Sequence, residues 1–283
     1  TAYHPRRTIG KAPVIKPKYK KPTSTSINQT PIIPGARQIV PLSQMKGIAN
    51  LGNTCYANSV LQIFINMPSL DPLLQTGLPI ANCVNTLKAQ LSNGSNMSLN
   101  AQNLFRFPDM HQWPVNTQQD AHEFLLKLLQ LLHDEQYATT NEIETAVNQT
   151  VFLQLSHLHS CQMCGHSSVT TETVNYLSSP LHDPTVNQID IEPSGETSDR
   201  PCSNCRHNNT VCDTEITVPP TTLFVTVMRF NAQLQKLHNK IRLQPQLITK
   251  HNVQYQLVGV IYHSGNASNT GHYYADVLCQ QDQ

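Results

Sequence analysis

Acidic residues are missing from the first quarter of the chain. Asp71 is the first of eighteen, whereas residues 1–70 already carry nine Lys or Arg. The rest of the chain sets ten Lys or Arg against all eighteen acids, a net of −8, so the overall +1 hides a basic start and an acidic body. An acidic body suits a basic ligand; it is equally the ordinary surface of a soluble protein. Charged residues are scarce, at 13% against 39% hydrophobic. Long apolar runs are absent, which excludes a membrane-spanning helix, and no apolar block opens the chain as a secretion signal would. These absences point to a soluble protein of the cytoplasm or nucleus, with no membrane partner and no requirement for nucleic acid. Internal repeats are lacking too.

Residues 1–41 hold seven prolines and the cluster Arg6, Arg7, Lys11, Lys16, Lys18, Lys20 and Lys21, with no apolar periodicity. Such a segment buries too little apolar surface to offset its ordering entropy. It reads as a disordered basic tail. KPKYKKP within it is either a polyanion or nuclear-import signal or a solvated linker.

From residue 54, Ala57, Val60, Leu61 and Phe64 fall on one helical face, and Pro68 helps to end the run. Residues 117–135 predict the clearest helix: Ala121, Phe124, Leu125, Leu128 and Leu132 form its apolar stripe, with Asp120, Glu123, Lys127, Gln130 and Asp134 opposite. Residues 83–107 read as partly helical. After residue 150 the pattern changes. VFLQL, SSVTTETV, LFVTVMRF, VQYQLVGVIYH and HYYADVLC are rich in β-branched and aromatic residues. A helical half followed by a β half predicts an α+β fold.

Cys55 lies in GIANLGNTCYANSVLQ, where a polar loop turns into the first helix. A helix N-terminus stabilises a thiolate through its free N–H groups and dipole. Asn53 and Thr54 are candidate caps. NLGN before the cysteine offers backbone donors and amide side chains for the oxyanion that forms when a thiolate attacks a carbonyl. A lone cysteine is more often an inert core residue, so a partner base has to be found. His272 is the candidate, in YHSGNASNTGHYYADV, where the polar segment 264–271 reads as a loop between two strands. Cysteine and histidine brought together from distant parts of the chain form the pair of papain-like thiol hydrolases.

GIANLGNTCYANSVLQ resembles the cysteine box of the ubiquitin-specific protease family of deubiquitinases, and YQLVGVIYHSGNASNTGHYYADV is similar to its histidine box. QQDAHEFLLKLL matches a third signature, and LFVTVMRF followed by KLHNKIRLQPQL resembles the segment before the histidine box. The likeness runs from about residue 46 to 278. It implies a papain-like catalytic domain over 42–283, with a helical thumb at about 46–145 and β-rich fingers and palm at about 146–283. It implies a thiol-dependent isopeptidase acting after ubiquitin's C-terminal glycine, with Cys55 and His272 catalytic and Asn50 serving the oxyanion. Asp120 and Glu123 would line the channel for ubiquitin's basic tail and pair with its arginines; read without the resemblance they are acids suited to a helix start. Ubiquitin and ubiquitinated proteins are the expected partners of a monomer. A non-catalytic ubiquitin-binding module, or a protease for another ubiquitin-like modifier, are the alternatives.

Cys161-Gln-Met-Cys164 and Cys202-Ser-Asn-Cys205 are two knuckles of the kind that hold tetrahedral Zn2+ through thiolates. The 37 residues between them require a β excursion to bring the pairs together. The resemblance places such a site in the fingers, with a structural role. His166 or His207 in place of one cysteine, or cysteines without metal, are the other readings. The family pattern also has a third triad member well past the histidine, and only eleven residues follow His272. Asp276 lies about 13 Å along a strand, beyond hydrogen-bond reach. Truncation within the palm, or an unrecognised residue, are the two readings, and weak or absent activity of this stretch of chain is among the expectations.

Overall fold

The computed structural model describes residues 47–277 except 76, 93–99, 143, 182–184, 199, 234, 268 and 269, all within the unit Ile39–Gln283. The expected tail over 1–41 lies outside the described residues.

Helix α1 (Cys55–Asn66) is buried over ten of its twelve residues. A helix that is covered nearly all round belongs at the centre of a core. Here α2 (Pro79–Ser92), α3 (Ala121–Thr140) and a β-hairpin described below all pack against it. Met67 turns extended and Pro68 begins a short 3-10 segment, which stops α1. Tyr56 of α1 meets Trp113 and Phe124 at 5.9 and 5.6 Å between ring centres, so aromatic edges and faces fill the space between α1 and α3.

Side chains of α3 hold its neighbours. Glu135 accepts the free N–H groups of Ile80 and Ala81, capping α2. Buried Gln136 donates to Leu73 O and accepts from Val147 N, at the start of α4 (Ala146–Val151). Asn141, in the left-handed region at φ 55, ends α3.

The β half follows in order: β1 (Leu153–Cys161), β2 (Ser167–Val174), β3 (Leu177–Pro180), β4 (Glu196–Ser198), β5 (Thr210–Val218), β6 (Val225–Met228), β7 (Gln246–Ile248), β8 (Gln254–Gln256), β9 (Gly259–Ala267) and β10 (Thr270–Val277). An antiparallel sheet in the order β2-β1-β5-β4 forms the long arm. β3 pairs in parallel with β6, β7 with β8, and β9 with β10. Two cores result. One surrounds α1 and takes in Tyr273 from β10; the other joins Leu153, Leu155, Leu177, Ile191 and Ile216 at the base of the arm. Among the described residues no helix is long and apolar enough to cross a membrane.

The structure revises three local expectations. The helix expected over 117–135 starts only at Ala121, because Asp120 takes an extended conformation and caps it. The helix expected within 83–107 is α2, which begins at residue 79. The segment 264–271 is not all loop: pairing continues to Ala267 opposite Thr270.

Among the described residues burial lowers the pKa of three histidines, His122, His159 and His263. His122 bonds Thr226 Oγ1 at 2.8 Å and stands edge-on to Tyr176; burial lowers its pKa, partly opposed by Asp120. His263 is lowered by burial and by Lys236. A histidine depressed in the fold contributes stability that is full above its unfolded pKa of about 6.5 and lost as pH falls through the folded value. The melting temperature should therefore fall from pH 7.5 to 5.5. His122→Asn, which leaves an amide facing Thr226, should flatten that slope; an unchanged slope would contradict the assignment.

Candidate active site

Cys55 opens α1 and is only 7% exposed. The loop before it is fixed from three directions. Asn53 donates its N–H to Val115 O and its side-chain amide to Asn116 O, both at 2.7 Å. Gly52, at φ 127, sits so close to Val115 O that a Cβ would lie 2.9 Å from it. Asn58 in α1 donates back to the carbonyls of Ile48 and Ala49.

Thr54 is the N-cap residue, yet its hydroxyl does not cap the helix. It accepts from Leu51 N and donates to Asn50 Oδ1, which also accepts from Thr54 N at 2.9 Å. Two donors on one oxygen fix which end of the Asn50 amide is oxygen. Among the described residues nothing accepts from Asn50 Nδ2, so the exposed amide keeps a free N–H donor just upstream of Cys55.

His272 lies on β10 opposite Ser264 of β9, with β10 packed against α1. Its neighbour Tyr273 is buried and donates to Asp120 Oδ2 at 3.2 Å. Burial, then Asp120, and to a lesser degree Cys55 push the Tyr273 phenol up. The same cysteine contributes, after burial, to raising Tyr56 to about 12. Cys55 therefore lies within electrostatic reach of the strand that carries His272. Among the described residues Cys55 and His272 are not hydrogen-bonded to each other, and no acid or amide is bonded to the His272 ring. Catalytic hydrogen bonds are often long before substrate arrives and tighten in the complex. Asp276, four residues along β10, is engaged by Tyr262 instead.

Just before His272 the β9–β10 register shifts, because Gly265 and Asn266 of β9 together face the single residue Gly271. Its φ is 140; a Cβ there would lie 2.6 Å from His263 Nε2 and closer still to Ser264 O. Gly271→Ala should cost about 1–3 kcal/mol in backbone strain alone. It should also displace His272, so turnover should fall further than thermal stability accounts for. Full activity in the folded variant would contradict this.

Asp120 is not on the wet face of a helix, as the sequence reading had it. Oδ1 accepts from His122 N and Glu123 N, and Oδ2 takes the Tyr273 hydroxyl, so the carboxylate ties α3 to β10. Glu123 is exposed in the first turn, its pKa raised by partial burial and by Asp120. Sequence reasoning missed Gln118, whose amide bonds Gly271, and Lys236, whose ammonium donates to the carbonyls of His263 and Gly265. Both contacts span 27 or more residues and leave no local pattern. A cavity of about 940 Å³ extends from Asp120, His263 and Tyr273 along α1 and β6.

At the tip of the arm, the sulfurs of Cys161, Cys164, Cys202 and Cys205 all lie within 4.8 Å of one another. Cys161–Cys205 and Cys164–Cys202 are 3.6 and 3.7 Å apart. A tetrahedron of metal–sulfur bonds of about 2.3 Å sets sulfurs about 3.8 Å apart, so the four fit one metal ion. The knuckles are built alike. Cys161 N and Cys202 N donate to the carbonyls of His166 and His207, and Gly165 and Arg206 follow with positive φ. The backbone at His166, then Cys205, lowers Cys164 to about 6. His166 is bonded to Ser203 instead, leaving the cysteines as the donor set.

A cysteine at a helix N-terminus, with a histidine on a β-half strand that packs against that helix, is the layout of the papain-like thiol hydrolases. Within that class the chain belongs to the ubiquitin carboxyl-terminal hydrolase family, whose model matches residues 46–283. Ubiquitin carboxyl-terminal hydrolase 26 of Arabidopsis thaliana is 25% identical, over 82% of this chain and 24% of that protein. Probable ubiquitin carboxyl-terminal hydrolase 8 of Schizosaccharomyces pombe is 24% identical, over 82% and 57%. The chain thus spans between a quarter and just over half of these curated relatives. Its fold is similar to that of one chain of the SAGA Ubp8/Sgf11/Sus1/Sgf73 DUB module, solved bound to ubiquitin aldehyde, with a TM-score of 0.67 at 21% identity, covering 82% of this chain and 61% of that chain.

Proposed function

We propose that this domain is a thiol-dependent deubiquitinase that cleaves the bond after ubiquitin's C-terminal glycine. The observation that carries the reading is Cys55 at the start of α1, with a free Asn50 N–H donor before it and His272 on the strand packed against that helix. His272 takes the Cys55 proton, and the thiolate attacks the glycine carbonyl carbon. Asn50 Nδ2 and backbone N–H groups at the start of α1 receive the negative oxygen. As the tetrahedral intermediate collapses, the carbon–nitrogen bond breaks and His272 protonates the leaving amine. Water, deprotonated by His272, then releases the acyl group from sulfur.

Asp120 lines the cleft and Glu123 follows in the first turn of α3, a pair of acids that suits a basic tail. Zn2+ held by Cys161, Cys164, Cys202 and Cys205 is structural, because four thiolates leave no open position. A monomer acting in the cytoplasm or nucleus completes the reading.

The test is hydrolysis of fluorogenic C-terminal amides of ubiquitin and of other ubiquitin-like modifiers. Ubiquitin should be the preferred substrate, and Cys55→Ala should abolish turnover. Binding without hydrolysis, unchanged by Cys55→Ala, would contradict the reading in favour of a binding module.

A further inference from the structure

Gly271 lies opposite the bulge in β9, facing both Gly265 and Asn266, and so has no partner of its own in the regular β9–β10 ladder. Where a ladder is interrupted in this way, the backbone N–H and C=O groups on either strand are left in need of partners. At Gly271 both are met by one side chain, 153 residues away. Gln118 Nε2 donates to Gly271 O at 2.9 Å, and Gly271 N donates to Gln118 Oε1 at 3.1 Å. The carboxamide pairs with the peptide much as a neighbouring strand would.

Two residues further along each segment a second link follows, from Tyr273 hydroxyl to Asp120 Oδ2. Residues 118 and 120 of the segment leading into α3 therefore hold residues 271 and 273 of β10. His272 lies between the two. A backbone tether at 271 and a buried side-chain tether at 273 restrict how far β10 can shift at the residue between them. The anchoring segment also borders the helical half that carries Cys55: Asn53 is bonded to Val115 and Asn116, just before Gln118. One stretch, 115–120, thus touches the Cys55 loop at one end and flanks His272 at the other.

We propose that Gln118 is a positioning residue that sets His272 relative to Cys55, an inference that rests on the function proposed above. Asp120 shares the task but also caps α3, so Gln118 is the cleaner probe.

The experiment compares wild type, Gln118→Ala and Gln118→Glu, the last keeping an acceptor for Gly271 N while losing the donor to Gly271 O. Three quantities are measured: kcat and KM on a ubiquitin C-terminal amide, the pH dependence of Cys55 alkylation by iodoacetamide, and adduct formation with a ubiquitin C-terminal electrophile. A misplacement of the catalytic pair can cost about 100-fold. Gln118→Ala should lower kcat by roughly 10–100-fold with KM within about twofold. Its alkylation profile should lose the low-pH limb that a Cys55–His272 pair produces, and Gln118→Glu should fall between. A purely structural role would lower the folded fraction and leave that limb in place, which would overturn the proposal. So would an unchanged kcat in Gln118→Ala while wild type forms the adduct, with the proposed function left standing. If wild type forms no adduct and shows no low-pH limb, the proposed function fails and this inference with it.

Discussion

Replacing His272 with alanine is expected to lower hydrolysis of a ubiquitin C-terminal amide by about 10²–10⁴-fold, the range for loss of a positioned acid–base group. Ubiquitin affinity should stay within about twofold, the change of a surface side chain that binds nothing in the free protein. Among the described residues no neighbouring imidazole is placed to substitute. His263 has Nδ1 against the Lys236 ammonium, and its ring packs on Tyr273 at 4.6 Å. The fold should barely register the change. The His272 side chain is exposed and makes no hydrogen bond among the described residues, and substitutions of that kind usually stay within about 0.5 kcal/mol. Paired measurements of kcat and melting temperature separate the two effects. Retained turnover would remove His272 from the mechanism; lost turnover with an equal loss of folded protein would make its role structural.

Withdrawing metal should have the largest effect on stability. The four sulfurs at the arm's tip form no disulfide and are spaced for one ion. Structural zinc contributes about 10–16 kcal/mol of binding free energy in small finger peptides. The tip has little else to hold it. The second core lies at the base of the arm, around Leu153, Leu155 and Ile216, while Met163, Leu158 and Val169 are exposed. Elemental analysis should find one zinc per chain. A strong chelator, or Cys164→Ser, should unfold the tip and lower ubiquitin affinity, while Cys55 remains alkylatable because the core around α1 is separate. Metal-free protein with an unchanged melting curve would contradict the assignment.

These two sites differ in how they were legible before the fold was known. The knuckles declare themselves by local spacing, and strand pairing does the rest: β1 runs alongside β5, so Cys161 faces Thr210, just beyond the second knuckle. Cys55 was placed correctly at a helix start because small and polar residues give way to an apolar run there. Asp120 was placed on the wet face of a helix begun too early, although the other reading, an acid suited to a helix start, matches its place as the N-cap. An aspartate followed three residues later by a glutamate marks a helix start, but glutamines at 118 and 119 tolerate helix and blurred the boundary. The hairpin was misread for a different reason. Residues 264–271 are polar and look like loop, yet Gly265 and Gly271, at φ 144 and 140, let the strands continue around a bulge. The Gln118–Gly271 and Lys236–His263 contacts had no local signal at all, because backbone carbonyls and N–H groups are the same in every residue. The third member of the triad was not found in the sequence, and among the described residues no side chain takes its place.

The central claim is that Cys55 is the nucleophile toward the ubiquitin C-terminus. Incubating the protein with ubiquitin carrying a C-terminal electrophile, then mapping the adduct by peptide mass spectrometry, tests it most directly. The account predicts one covalent ubiquitin per chain, attached at Cys55, slowed strongly by His272→Ala and absent in Cys55→Ala. No adduct, or an adduct on Cys83 or another thiol that persists in Cys55→Ala, would contradict it.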